Sequence, residues 1–193
     1  AQAAHVHRFA PARHTAVLLD DGRGFVADGV SGNDGIYAAI ADTGYWDPDT
    51  GQWSAGPTLP SARDLFTATR LQDGAVLVVG GRDGATTHDD AHLLLAGAFV
   101  PVLGPLTHAR FGHTATLLPD GDVLIAGGRV GPDSITIEDA ERYDAGGGGF
   151  GGAGFGQSRG GHTATLLDDG RVLVAGGFAR ETDQPFAGLI ADL

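Results

Sequence analysis

Apolar and polar positions along the chain follow one pattern four times over. In HTATLLPDGDVLIAGG (113–128) small polar and apolar residues alternate up to an Asp-Gly pair, and an unbroken apolar run then ends in Gly-Gly. The phrase returns as HTATLLDDGRVLVAGG (162–177), FTATRLQDGAVLVVGG (66–81) and HTAVLLDDGRGFVADG (14–29). The Asp-Gly pairs stand at 21–22, 73–74, 120–121 and 169–170, so the repeat spacings are 52, 47 and 49 residues. A period of this size marks an architecture built by repeating one supersecondary unit.

Alternation with period two predicts a strand with one buried face, and the apolar run after the turn predicts a strand buried on both faces. Asp-Gly between two strands predicts a tight type I′ hairpin turn, in which both central residues need positive φ. Gly-Gly at 80–81, 127–128 and 176–177 predicts a bend too sharp for a Cβ. Two more strands follow in each of the first three units, in GYWDPDTGQW (44–53), HLLLAGAFV (92–100) and AERYDAGGGGF (140–150), and the fourth unit has a third strand, 187–193, without a fourth of its own. In the first and third an aromatic stands six residues after an Asp (Asp47 and Trp53, Asp144 and Phe150). The low-complexity stretch AGGGGFGGAGFG (145–156) reads as a flexible surface excursion. No amphipathic helical pattern is present, and the expected class is all-β.

These residues resemble kelch repeats, the β-propeller repeat of about 50 residues. The resemblance rests on R-x-x-H-T at Arg110/His113 and Arg159/His162, the Asp-Gly turn, the Gly-Gly, Tyr143-Asp144 and Trp53. It covers almost the whole chain, and the wording is closest to bacterial kelch and galactose-oxidase-like propeller repeats. It departs at Asp28-Gly29, which replaces Gly-Gly, at Phe66, which replaces His, and at the shortened opening Arg13-His14. The resemblance implies a single domain over 1–193, a four-bladed propeller of four-stranded antiparallel blades. The blades run over about 12–60, 61–107, 108–157 and 158–193, and the N-terminal strand 5–9 completes the last one. Kelch propellers more often have six or seven blades, so a homo-oligomer or a larger assembly is the alternative to closure within one chain.

Composition narrows the function. Cysteine is absent, which removes disulfides, thiolate ligands and the Tyr–Cys crosslink that galactose-oxidase copper chemistry requires. The net charge of −12 argues against nucleic acid as a partner. No apolar run reaches the roughly 20 residues that span a bilayer. The small-residue start AQAAHVHRF resembles a processed end and points to a secreted or periplasmic protein.

The candidate site follows from the resemblance, which gathers the loops after each second strand and the blade connections at one mouth. The loops bring Arg82, Asp83, Arg129 and Arg180, with Glu181 and Asp183 beside it, and the long insertion 30–43 adds Asn33, Asp34 and Tyr37. The connections bring Arg63, Arg110 and Arg159, which with Gly80, Gly81, Gly127, Gly128, Gly176 and Gly177 read as architecture because they repeat. The opposite end collects the acidic turns. Guanidinium groups suit carboxylates, so the expected partner is a protein or glycan carrying acidic groups, the expected role is a binding module without catalysis, and no cofactor is expected. Two alternatives remain. One is an enzyme acting on a sugar acid, like the kelch-type sialic acid epimerases, with His108 or Glu181 as the proton-transfer group beside an Arg. The other is a metal held by His14, His113 and His162, which occupy one repeat position; on radial blades these rings should point between blades.

Overall fold

The structure, a computed structural model, describes residues 12–33, 36–84 and 86–179 and the backbone of one further strand, Ala187–Ile190. Each copy of the phrase folds as an antiparallel sheet. The first sheet contains β1 (Thr15–Leu18) and β2 (Gly24–Ala27), then a ribbon of β3 (Val30–Asn33) and β4 (Ile36–Ala39), then β5 (Thr43–Asp47) and β6 (Gln52–Ala55). The second has β7 (Thr67–Arg70), β8 (Val76–Val79), the ribbon β9 (Arg82–Asp83) and β10 (Thr86–Thr87), β11 (Ala91–Leu95) and β12 (Ala98–Pro101). The third has β13 (Thr114–Leu117), β14 (Val123–Ala126), the ribbon β15 (Arg129–Val130) and β16 (Ile135–Thr136), β17 (Ala140–Asp144) and β18 (Gly149–Ala153). The fourth has β19 (Gly160–Leu166), β20 (Val172–Phe178) and β21 (Ala187–Ile190). Strands pair in chain order within each sheet and the ribbons pair on themselves. Strand 5–9, expected to complete the fourth sheet, lies outside the described residues.

The hairpin turn differs from the expected type I′. At the four Asp-Gly pairs only the glycine has positive φ, 82°, 87°, 99° and 85° at Gly22, Gly74, Gly121 and Gly170. Each of these N–H groups donates to the carbonyl three residues back (Leu19, Leu71, Leu118, Leu167). The loop is therefore a type I turn followed by a glycine bulge, three residues long. The aspartate has its own reason to be there. Its carboxylate accepts the N–H two residues on, from Arg23 (3.0 Å), Ala75 (3.0 Å), Asp122 (3.2 Å) and Arg171 (3.1 Å), which holds the bulge in place.

The glycine-rich stretch is likewise no excursion. It forms a hairpin turn and β18, with Tyr143 opposite Phe150 and their rings 5.4 Å apart. Trp46 and Trp53 make the same cross-strand pair at 5.4 Å in the first sheet. The aspartate six residues before each outer aromatic caps the turn: Asp47 accepts the N–H groups of Asp49 and Thr50, and Asp144 those of Gly146 and Gly147.

The sheets stack side by side through their first strands, β1 on β7, β7 on β13 and β13 on β19. Each contact has its own apolar core. Phe25, Ala27 and Leu59 meet Phe66, Val76 and Val78; Leu77, Val79 and Leu106 meet Val123, Ile125 and Tyr143; Leu124, Ala126 and Ala140 meet Val172 and Val174. The second strands of the middle sheets, β8 and β14, are buried at every position, as their continuous apolar character predicts. Those of the end sheets are buried on one face only, and in opposite phase. In β2 Phe25 and Ala27 are buried while Gly24 and Val26 are not; in β20 Val172 and Val174 are buried while Leu173 and Ala175 are not.

Successive sheets are pinned at the Gly-Gly corner. The N–H of Gly81 donates to the carbonyl of Arg110 in the next sheet (2.8 Å), and that of Gly128 to the carbonyl of Arg159 (2.8 Å). A Cβ on Gly80 or Gly127 would stand 2.5 Å from the same carbonyls, and both residues have positive φ (59° and 57°). Gly127→Ala should therefore cost about 3 kcal/mol or more, because left-handed strain and overlap with backbone add. Gly170→Ala, where a Cβ meets nothing within 4 Å, should cost about 1–2 kcal/mol from its φ of 85° alone. Urea denaturation of the two variants measures the difference, and equal costs would refute the close approach.

Candidate functional site

The arginines that open the repeats are part of the wall. Arg63 and Arg110 are fully buried, and Arg159 is nearly so. Each sends Nη1 to the carbonyl of the first glycine of its own Gly-Gly, Gly80 (2.9 Å), Gly127 (2.9 Å) and Gly176 (2.7 Å). A buried guanidinium needs its remaining N–H groups satisfied. Arg63 is held by both oxygens of Asp90 and by Ser61 Oγ, Arg110 by Asp139 and Glu141, and Arg159 by Gln157 Oε1. Asp90 sits below the usual carboxylate range because Arg63 outweighs its burial.

Around Arg110 these partners make the densest titratable cluster of the described residues. His108, Asp139 and Glu141 place donor atoms within 4.8 Å of one another, with His108 Nδ1 2.6 Å from Asp139 Oδ2. The set has the chemistry of a metal centre, but a cation already occupies it. Arg110 Nη2 lies 2.9 Å from Asp139 and 2.5 Å from Glu141, and the other oxygen of Glu141 accepts the N–H of Thr107 at 2.7 Å. Ser61, Arg63, Asp90 and His92 stand at the equivalent places in the second sheet. The cluster is thus one version of a repeated lock.

The repeat histidines lie between sheets. His113 Nε2 is 2.9 Å from Thr67 Oγ1 and His162 Nε2 is 2.9 Å from Thr114 Oγ1, each across one sheet contact. Donor atoms of His14, His113 and His162 do not come within 4.8 Å of one another. Burial, reinforced by Arg110 and His162, pushes His113 down to about 3, and burial with Arg159 pushes His162 down to about 4. Both rings are neutral spacers near pH 7.

The loop arginines behave differently. Asp64 bridges Arg82, and Phe111 bridges Arg129, as isolated antiparallel pairs, and Gly160 pairs with Phe178 at the same offset of 18 residues. This register stacks the side chains of successive sheets into a ladder. The Arg82 guanidinium lies 4.6 Å from the centre of the Phe111 ring. Arg129 lies between rings, 5.4 Å from Phe111 and 4.6 Å from Phe178. Gly160 leaves room for the Arg129 stem, because a Cβ there would stand 2.9 Å from Arg129 Cγ. Arg82 Nε shares Asp64 (3.3 Å) with Arg13 Nη1 (2.6 Å). Arg129 has no carboxylate partner among the described residues, its Nε is buried without a hydrogen bond, and burial, Arg82 and Arg13 all lower its pKa.

Of the residues expected at the mouth, Arg82 and Arg129 come together. Asp83 is exposed beside Arg82 in β9, and Tyr37 is exposed in β4. Asn33 ends β3, and its side chain, Asp34, Arg180, Glu181 and Asp183 lie outside the described residues. Sequence reasoning missed Phe111, Phe178, Arg13 and Asp64. The signal available was the 18-residue offset, at 64/82, 111/129 and 160/178. At the opposite end the acidic turns carry unforeseen partners: Arg23 pairs with Asp21, Arg70 with Asp20, Arg142 with Asp120 and Asp122, and Arg171 with Asp169. No protein-family model matches the chain, and neither does any curated protein.

The buried histidines set a pH dependence. Their folded pKa values lie below the unfolded value of about 6.5, so the unfolded chain binds more protons and stability rises with pH. The contribution is complete above about pH 6.5 and is lost as pH falls toward 4 and then 3, by up to about 1.4 kcal/mol per pH unit for each ring. His113→Phe places at this joint the residue that Phe66 supplies at the first one. Between pH 6.5 and 4.5 its melting temperature should fall less steeply than that of the unsubstituted chain, and parallel profiles would refute the assignment.

Proposed function

We propose that the sheets are blades of a kelch-type propeller and that the chain is a binding module, receiving a carboxylate of an acidic peptide or glycan at Arg129 and Arg82. The observation that carries the reading is Arg129. A guanidinium flanked by two aromatic rings is held in one orientation and partly dehydrated, which strengthens its attraction for an anion. Its nearest charged neighbours repel it, and it has no internal counter-ion among the described residues. Arg82 divides the Asp64 carboxylate with Arg13, and both act on Arg129, so among the described residues this group of three guanidiniums is short of negative charge. A carboxylate arriving from solvent supplies what is missing, and a planar fork-to-fork contact suits it.

The reading of an enzyme acting on a sugar acid has one observation in its favour. The exposed His108 is oriented by Asp139 as a general base would be. The adjacent guanidinium, Arg110, is buried and fully engaged, so it offers nothing to a substrate carboxylate.

Titration calorimetry with N-acetylneuraminate, glucuronate and a Glu/Asp peptide tests the proposal. Binding should weaken with added salt, and Arg129→Ala should weaken it about tenfold or more, equivalent to about 1.4 kcal/mol. Tyr37→Ala should leave the folded chain intact and reports whether the contact extends to the first ribbon. Heat from none of these ligands, or equal binding by Arg129→Ala, would sink the proposal.

A further inference from the structure

We propose that a second copy of this chain docks head-to-tail on the two sheet faces that no further described sheet covers, and that two copies close into one ring of eight sheets. This rests on the stacking of the sheets and is independent of the ligand.

Two of the three internal contacts join the same two surfaces; at the first, Phe66, Ala68 and Arg70 stand in for the His, Ala and Leu, and Asp28 for the glycine. The surface turned toward the preceding sheet carries His-x-Ala-x-Leu on the first strand and two residues of the second. In the third sheet these are His113, Ala115 and Leu117 with Val123 and Ile125, and they are covered. In the fourth His162, Val172 and Val174 are buried and Ala164 partly so, while Leu166 keeps 37% of its surface exposed. The first sheet carries the same wording, His14, Ala16 and Leu18, with Gly24 and Val26, and no described sheet lies against it. His14 and Ala16 are exposed and Leu18 is 67% exposed.

The surface turned toward the following sheet is Leu77, Val79 and Gly80 with Thr67 in the second sheet, and Leu124, Ala126 and Gly127 with Thr114 in the third. The fourth sheet repeats it as Leu173, Ala175, Gly176 and Thr163; Thr163 and Gly176 are exposed, Leu173 and Ala175 are half-buried, and no further sheet among the described residues lies against them. Gly176 makes the point most sharply. Its φ of 71° gives it the backbone shape of Gly80 and Gly127. A Cβ on those two would meet the next sheet's arginine carbonyl at 2.5 Å and histidine ring at about 3 Å, whereas at Gly176 it meets none of the described residues within 4 Å. The corner that receives a following sheet is built, and no described residue fills it.

The two open faces are therefore the two halves of a joint that the chain makes twice within itself, at its second and third sheet contacts. They lie at opposite ends of the stack, so one copy's fourth sheet fits the first sheet of another. A contact of this kind is heterologous and closes only when the rotations sum to a full turn. Two copies in a ring of eight sheets reach closure at the upper end of the usual four to eight blades.

Light scattering behind size exclusion on the 193-residue chain should give twice the 19.6 kDa chain mass. Leu18→Glu on the first face and Leu173→Arg on the last should each give the single-chain mass, with circular dichroism unchanged. Mixing the two variants should restore the double mass, because each retains the face the other needs. A single-chain mass for the unsubstituted protein would overturn the proposal and leave the faces to further sheets of a longer chain. A mass above two chains would overturn closure at two. A double mass that survives either substitution, or a mixture that stays at one chain, would overturn the head-to-tail arrangement.

Discussion

One residue per repeat ties the architecture together: the buried arginine at the corner where two sheets meet. Arg110 works in both directions. Its N–H donates to the carbonyl of His88 and its carbonyl accepts from Gly81, both in the preceding sheet. Its guanidinium reaches Gly127, Asp139 and Glu141 in its own sheet. Arg159 repeats the backbone half with Ile137 and Gly128 and the side-chain half with Gly176. Burying a guanidinium this deeply is tolerable only when the acceptors surround it, and removing one partner leaves an uncompensated charge. The glycine pair follows from the same demand, since the arginine carbonyl approaches to where a Cβ would be.

The first joint shows how such a constraint shapes sequence. Asp28 replaces the first glycine and Phe66 replaces the histidine, two departures that look unrelated in the sequence. They are the two sides of one contact, because Gly80 and Gly127 are the residues that the rings of His113 and His162 approach. A glycine there belongs with a histidine, and a residue with a side chain belongs with a different partner. The apparent arginine of the shortened first repeat is also resolved. Arg13 has φ of 61° and occupies the place of Leu65, Gly112 and Gly161, all with positive φ. Its side chain is then free to cross to Asp64 in the second sheet.

What the sequence made legible is whatever repeats in period and polarity. Strand alternation, the doubly buried runs of β8 and β14 and the bend at Gly-Gly all follow from local rules. The rest depended on information that local rules do not hold. A glycine-rich segment carries no strand propensity of its own, and β18 forms because Tyr143 and Arg142 offer a paired edge to residues 149–153. Asp-Gly suits both a type I′ turn and a bulged type I turn, and the aspartate's bond to the second N–H decides between them. The arginines looked alike as letters. Arg110 and Arg129 differ only in which side of the corner they leave from, and that separates a structural charge from an available one. The ladder of Arg82, Phe111, Arg129 and Phe178 exists only once three sheets are in register.

That ladder makes binding and stacking parts of one equilibrium. Arg82 belongs to the second sheet, Phe111 and Arg129 to the third, and Phe178 to the fourth. In a stack where each unit touches only its neighbours, stability is a sum of sheet and joint terms, and the outer joints open most readily. An anion held by Arg82 and Arg129 as proposed would bridge the second joint, the one that also holds His113 against Thr67. It would relieve the repulsion between the two guanidiniums at the same time. By linkage, anything that tightens this joint tightens the grip on the anion, and the anion tightens the joint in return. The protonation of His113 enters the same cycle with the opposite sign. A charged ring cannot stay beside Arg110 in the buried contact, so acid loosens the joint and with it the arrangement of the two arginines.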